Sequence, residues 1–149
     1  MINTWEEYAY FGLLFSCFIF AILTADRRIH IGSITVLTAW TASILVREFL
    51  DIVPWILSEV IINLAVFYVF LQLHFKQNDE EREPLWPLVV MGLEALIFCS
   101  HLAYWIYGYS QYVVTVNIFF GFEVLTIIFI SILRIIDRFF VRAASKSRN

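Results

Sequence analysis

Apolar residues come in five long blocks along the chain, and short clusters of charged or turn-forming residues separate them. The hydrocarbon core of a bilayer is about 30 Å thick, so a helix needs about 20 mainly apolar residues to cross it. The blocks approach this length and contain few charges, a pattern typical of membrane-spanning helices. The sequence therefore predicts five transmembrane helices, at about 8–24, 31–46, 52–74, 85–107 and 112–133.

The residues between the blocks fit these boundaries. The most polar stretch, KQNDEEREP at 76–84, is predicted to be a loop. Pro87 suits the first turn of the fourth helix, where its missing N–H is not needed. Gly108 suits the end of that helix and opens a short predicted turn, GYSQ. The whole chain, 1–149, is thus predicted to be a single all-α membrane domain, a five-helix transmembrane bundle.

The second block is short, and it contains several serines and threonines. Gly32, Thr35, Ala39 and Ala42 recur at spacings of three and four, so they share one face of a helix. Small residues at this spacing let two helices pack closely in lipid. The block is therefore predicted to be an interior helix. A re-entrant segment is the alternative, because the block is shorter than a usual span.

The composition places the chain in the membrane class. Its hydrophobic fraction is 61% and its charged fraction 15%, whereas a typical soluble domain is about half apolar and a quarter charged. A net charge of −3 gives no basic groove for phosphates, which argues against nucleic acid as a partner. We expect membrane lipids as partners, together with a second copy of the chain or another membrane protein.

The basic residues predict the orientation, because Lys and Arg in short loops favour the cytoplasmic side. Five spans place the two termini on opposite sides of the membrane. A cytoplasmic C-terminus puts every Lys and Arg except Arg47 inside, so the N-terminus is predicted to be outside. The predicted location is the cell membrane, which in a bacterium is the inner membrane.

The chain becomes charged after the fifth block without any helix breaker, in the basic tail 134–149. Arg134, Arg138 and Arg142 recur at a spacing of four, so they share one helical face. A basic face of this kind binds anionic lipid head groups. The fifth helix is therefore predicted to continue as an amphipathic cytoplasmic extension whose three arginines contact head groups.

Polar residues interrupt the third, fourth and fifth blocks. A rise of about 1.5 Å per residue places one tier of them near mid-membrane and a second tier nearer the outer surface. The deeper tier is Asn63, Glu94 and Glu123, and the outer tier is Glu59, His101 and Asn117. No Lys or Arg lies within a predicted span, so His101 is the only candidate for a cationic partner of the glutamates.

These polar residues allow two interpretations. An acid in hydrocarbon is costly, so it commonly faces a bundle interior and often marks a path for ions or protons. A protonated glutamic acid, or an asparagine, also joins helices by hydrogen bonds. The cluster therefore either handles protons or small cations, or holds together the helices of this chain and of a partner.

Motifs of common catalytic and phosphate-binding sites are absent from the sequence. It contains no C-x-x-C, no H-E-x-x-H, no G-x-S-x-G and no glycine-rich phosphate loop. The three histidines are far apart, and Cys17 and Cys99 both lie in apolar blocks. We therefore expect no enzymatic activity, no cofactor and no metal site.

Three functions fit these expectations. The first is the transport of protons or small cations through the buried acids. The second is a non-catalytic subunit or assembly factor that binds another membrane protein. The third is a holin or exclusion protein of the type that bacteriophages encode.

Overall fold

The computed structural model describes residues 5–24, 26–50, 52–75, 85–107 and 109–146. Over these ranges the chain forms five α-helices, which confirms the predicted all-α class. They are α1 (Trp5–Thr24), α2 (Arg27–Phe49), α3 (Ile52–Phe75), α4 (Trp86–Tyr107) and α5 (Tyr109–Lys146). The predicted polar loop at 76–84 and the last tail residues, 147–149, lie outside the described residues.

Four of the described helices are long and apolar enough to cross a membrane. The candidate spans are Arg27–Phe49, Trp55–Phe75, Trp86–Tyr104 and Val114–Val141. The apolar part described for α1, Phe11–Thr24, is shorter than a usual span. A helix satisfies its own backbone N–H and C=O groups, which is why apolar segments adopt this structure in lipid. These helices fit a small multi-pass membrane protein.

The second helix differs most from its predicted bounds. α2 is a continuous helix of 23 residues, longer than the predicted 31–46 and without the reversal that a re-entrant segment needs. Asp26 is its N-cap, and the Asp26 carboxylate accepts a hydrogen bond of 2.9 Å from the Arg28 N–H. This bond satisfies one of the N–H groups left free at the start of a helix. Because α2 ends at Phe49, Arg47 lies within the helix.

The first residues of α5 also differ from the prediction. α5 begins at Tyr109, so residues 109–111, which were predicted to form part of a turn, are helical. From there α5 continues as one helix of 38 residues, or about 57 Å at 1.5 Å per residue. Arg134 Nε on this helix lies 3.6 Å from Asp26 Oδ2, which ties α5 to the connection between α1 and α2.

The five helices form a closed bundle in which each packs against its neighbours in the chain. α1 also packs against α5, and α2 contacts α5 more sparsely. α2, α3, α4 and α5 therefore surround a common interior, while α1 covers the seam between α2 and α5. Large apolar side chains such as Phe15, Leu57 and Phe129 lie on the outer surface, where lipid would cover them.

Gly32 allows a close contact between α2 and its aromatic neighbours. A Cβ atom on Gly32 would lie 2.9 Å from Trp86 Cη2 and 3.2 Å from Phe70 Cε1. The two rings are buried and meet edge to face, with centroids 5.8 Å apart. A side chain larger than hydrogen would therefore displace packed rings. The small-residue stripe of α2 faces protein at this position, as predicted, but its neighbours are aromatic side chains.

Candidate functional site: a polar cavity inside the bundle

A cavity of about 120 Å³ lies between α2, α3, α4 and α5. A single water molecule needs roughly 10–15 Å³ of such space, so the cavity has room for several. Arg47 and Asn117 both line the cavity and are exposed, so the cavity reaches the bundle surface beside them. The polar lining comprises Ser43, Arg47, Glu59, Asn63, Glu94, Asn117 and Glu123.

Glu59 on α3 uses both carboxylate oxygens. Its Oε1 accepts a hydrogen bond from Trp55 Nε1 at 2.9 Å, and its Oε2 accepts one from Ser43 Oγ at 2.7 Å. The positive charge of Arg47 acts on the same carboxylate. Arg47 is therefore a further candidate for a cationic partner of the glutamates, one that the sequence analysis did not include. It reaches the cavity because α2 extends further than predicted.

His101 on α4 is buried, and both of its ring nitrogens have partners. Asn63 Nδ2 lies 2.8 Å from Nε2, and the Tyr112 hydroxyl lies 2.7 Å from Nδ1. The amide N–H donates to Nε2, so Nδ1 carries the ring proton and donates to the Tyr112 oxygen. A neutral imidazole satisfies both contacts. His101 therefore joins α3, α4 and α5 through neutral groups, and it lies behind the cavity wall.

Glu94 on α4 and Glu123 on α5 form a buried pair whose carboxyl groups act on each other. The two residues are 4% and 1% exposed. Glu94 Oε2 and both oxygens of Glu123 have no hydrogen-bond partner among the described residues. Two ionised carboxylates repel each other, so this buried arrangement favours a proton on at least one of them. Glu59 adds a further repulsion on Glu94.

The structure regroups the two predicted tiers of polar residues. Asn63, predicted to lie level with the mid-membrane glutamates, bonds to His101 of the outer tier. Glu59 pairs with α2, a helix that was not predicted to contribute. Asn117 lines the cavity, but its side chain is exposed. All three glutamates, Glu59, Glu94 and Glu123, are buried in the bundle.

Four residues of the site were missing from the sequence-predicted set: Ser43, Arg47, Trp55 and Tyr112. Trp55 precedes Glu59 by one helical turn, so their spacing already indicated a shared face. Arg47 was missed because charged residues were taken to end α2. The contact between Tyr112 and His101 joins two helices, and a pattern within one helix does not reveal it.

The three arginines predicted to contact lipid head groups have different surroundings. Arg134 pairs with Asp26, so it has a partner within the protein. Arg138 is exposed on α5. The side chain of Arg142 lies outside the described part of the structure.

No protein-family model matches the chain, and no curated protein and no solved structure matches it either.

Chemically, the cavity combines two kinds of acid. Both oxygens of Glu59 accept hydrogen bonds, whereas the Glu94–Glu123 pair retains oxygens without donors. Such a pair is able to take up a proton or to bind a cation.

Proposed function

We propose that this chain is a small transport protein of the cell membrane, which moves protons or small cations through the cavity between α2, α3, α4 and α5. The observation that carries the proposal is the buried Glu94–Glu123 pair, with three carboxyl oxygens that lack a hydrogen-bond partner in the described bundle. Intramembrane acids that face a bundle interior often belong to ion or proton paths. The proposal includes no catalytic activity and no cofactor.

We also propose an orientation, with the N-terminus outside and the C-terminus in the cytoplasm. The distribution of basic residues supports it. The length of α5 is consistent with an amphipathic extension, because about 57 Å of helix exceeds a hydrocarbon core of about 30 Å. In this arrangement Arg138 and Arg142 lie near the cytoplasmic head groups, and the mouth of the cavity beside Arg47 faces the outside.

Flux through reconstituted vesicles tests the transport proposal. Vesicles that contain the purified chain and an internal pH dye should lose an imposed pH gradient, and parallel vesicles with cation-sensitive dyes report small cations. Glu94→Gln and Glu123→Gln should each reduce the flux by about tenfold or more, which corresponds to about 1.4 kcal/mol in the barrier. Glu48→Gln is the matched control, since Glu48 is an exposed acid outside the cavity.

The same variants separate a lost function from a lost fold. A glutamine amide donates hydrogen bonds and carries no charge, so Glu123→Gln keeps a contact with Glu94 and removes the repulsion. We expect its thermal unfolding in detergent to occur at or above the wild-type temperature. Wild-type flux in both glutamine variants, or no flux of protons or small cations in the wild type, contradicts the proposal.

A second candidate function is that of a non-catalytic subunit or assembly factor for another membrane protein. It is favoured by the position of Asn117, an exposed residue of the candidate span Val114–Val141 at the mouth of the cavity, where a partner helix would contact it. If vesicles show no flux, while one defined membrane protein co-purifies in mild detergent and is lost in Asn117→Leu, this function replaces the first. No feature of the described helices favours the holin-type alternative.

A further inference from the structure

Aromatic side chains form much of the remaining wall of the same cavity. Two of them, Trp55 and Tyr112, have ring centroids 5.9 Å apart and planes inclined by 75°, so they form a corner. Aromatic rings attract cations through their electron-rich faces, and organic ammonium ions are bound in this way. The aromatic residues that line the cavity are Trp40, Trp55, Tyr112 and Phe120.

The charges around the cavity leave a place for one positive charge. Arg47 and Glu59 both line the cavity, so their opposite charges offset each other in its lining. The Glu94–Glu123 pair is neutral when both carboxyls are protonated and carries one negative charge when they share a single proton. A monovalent cation that replaces one of the two protons keeps the lining neutral and places a positive charge beside the unpartnered oxygens of Glu123.

The size and the geometry of the cavity favour an organic cation over a metal ion. Within the described ranges, no three His, Cys, Asp or Glu side chains converge as metal ligands. A cavity of about 150 Å³ is known to hold benzene, so a cavity of about 120 Å³ suits a cation of about five heavy atoms. The apolar surface of the wall suits the carbon substituents of such a cation.

We propose that the cavity binds a small organic ammonium ion, held against the aromatic wall and charge-paired with the Glu94–Glu123 carboxyls, and that its entry displaces one of the two protons of these carboxyls. The inference rests on the proposed function, because it names the class of cation. One cation enters and one proton leaves, and no covalent bond changes. The other titratable groups around the pair in the described bundle are Arg47 of α2, Glu59 of α3, His101 of α4 and Tyr112 of α5.

Binding of tetramethylammonium to the purified full chain in lipid nanodiscs tests this inference. Trp40 and Trp55 line the cavity, so their fluorescence reports occupancy. We expect the affinity to rise with pH, because the proton competes for the same carboxyls. In weakly buffered solution, about one proton should be released for each cation bound. The neutral molecule tert-butanol, which is similar in size, should not bind.

Two pairs of variants make the test specific. Glu123→Gln should weaken tetramethylammonium binding by about tenfold or more, while Glu48→Gln should leave the affinity unchanged. Trp40→Phe retains an aromatic wall and should bind, whereas Trp40→Leu should bind more weakly. Equal binding of tert-butanol overturns the inference, and so does an affinity that Glu123→Gln leaves unchanged. Glutamine has nearly the same shape as glutamate, so misfolding does not account for a change in affinity in this variant.

The outcome also separates this inference from the transport proposal. Flux of protons or inorganic cations that depends on Glu123, without binding of tetramethylammonium, refutes the ammonium site and leaves the transport proposal standing. Binding of tetramethylammonium that depends on Glu123, without flux of any tested cation or proton, refutes transport and leaves the ammonium site standing.

Discussion

The buried polar side chains of this bundle differ in how completely their hydrogen bonds are satisfied. His101 uses both ring nitrogens and Glu59 uses both oxygens, whereas Glu94 and Glu123 retain oxygens without donors. A buried polar group without a partner costs about 1–3 kcal/mol of stability. The satisfied groups therefore hold the helices together, and the oxygens of the unsatisfied pair still have the capacity to accept hydrogen bonds.

Tyr112→Phe tests the structural role of His101. The variant removes the hydroxyl that lies 2.7 Å from His101 Nδ1 and leaves the aromatic ring in place. We expect a loss of about 0.5–2 kcal/mol in the free energy of unfolding, the range for hydrogen bonds between helices in membranes and for buried groups left unpaired. Thermal or denaturant unfolding in detergent, followed by helical circular dichroism, measures the loss.

Tyr68→Phe is the matched control for this variant, because Tyr68 is 59% exposed on the outer face of α3. Its loss of a hydroxyl should change the stability by less than about 0.5 kcal/mol. Equal stabilities of the two variants would mean that the hydrogen bond to His101 contributes nothing to the bundle.

The apolar pattern predicts whole helices best where their ends coincide with the ends of the apolar blocks. α3 and α4 were predicted at 52–74 and 85–107, within one residue of Ile52–Phe75 and Trp86–Tyr107. α2 was predicted too short because charged residues at both of its ends were interpreted as loop. Arg and Glu are good helix formers, so polarity there marks the edge of the apolar segment and not the end of the helix.

The candidate site was also predictable only in part, because the sequence pattern describes each helix separately. Counting along a helix gives the depth of Glu94 or Glu123, and a spacing of four or seven shows which residues share a face. The rotation of one helix relative to another is set by packing between them. The sequence pattern therefore placed Asn63 level with the deep glutamates, and the packing between helices brings its amide to His101.

Gly32→Ala tests the packing between α2 and the aromatic cluster around Trp86. The added methyl group would lie 2.9 Å from Trp86 Cη2, and the neighbouring ring of Phe70 limits how far the indole moves. We expect a loss of about 1–3 kcal/mol in the free energy of unfolding, the usual cost of overpacking a core. Unfolding in detergent measures it.

Gly92→Ala provides the comparison, because a Cβ atom at Gly92 meets nothing within 4 Å. Alanine is a better helix former than glycine, so this variant should be as stable as the wild type or more stable. A Gly32→Ala protein as stable as the Gly92→Ala protein would show that the contact with Trp86 relaxes without cost.

At the scale of the whole molecule, the arrangement of the helices determines where the cavity opens. α2, α3, α4 and α5 enclose the cavity, and α1 closes the seam where α2 and α5 contact each other sparsely. The mouth beside Arg47 and Asn117 is then the exposed end of a cavity that is otherwise surrounded by helices. The proposed orientation directs this mouth to the outer side of the membrane.

Reporter fusions test that orientation. A fluorescent protein that matures only in the cytoplasm should be bright when it is fused after Asn149, and a periplasmic phosphatase at the same position should be inactive. The expected reason is the excess of Lys and Arg on the C-terminal side of the membrane. An active phosphatase at the C-terminus would reverse the orientation, and with it the side on which the cavity opens.

The continuity of α5 has a mechanical consequence. Glu123 and Arg134 lie on one unbroken helix, about 16 Å apart at 1.5 Å per residue. A movement of the basic tail of this helix therefore also moves the carboxyl group of Glu123. A long helix adapts to a thinner bilayer by tilting. Tilting of α5 changes the distance between Glu123 and its partner on α4, so we expect activity to vary with the acyl-chain length of the surrounding lipids.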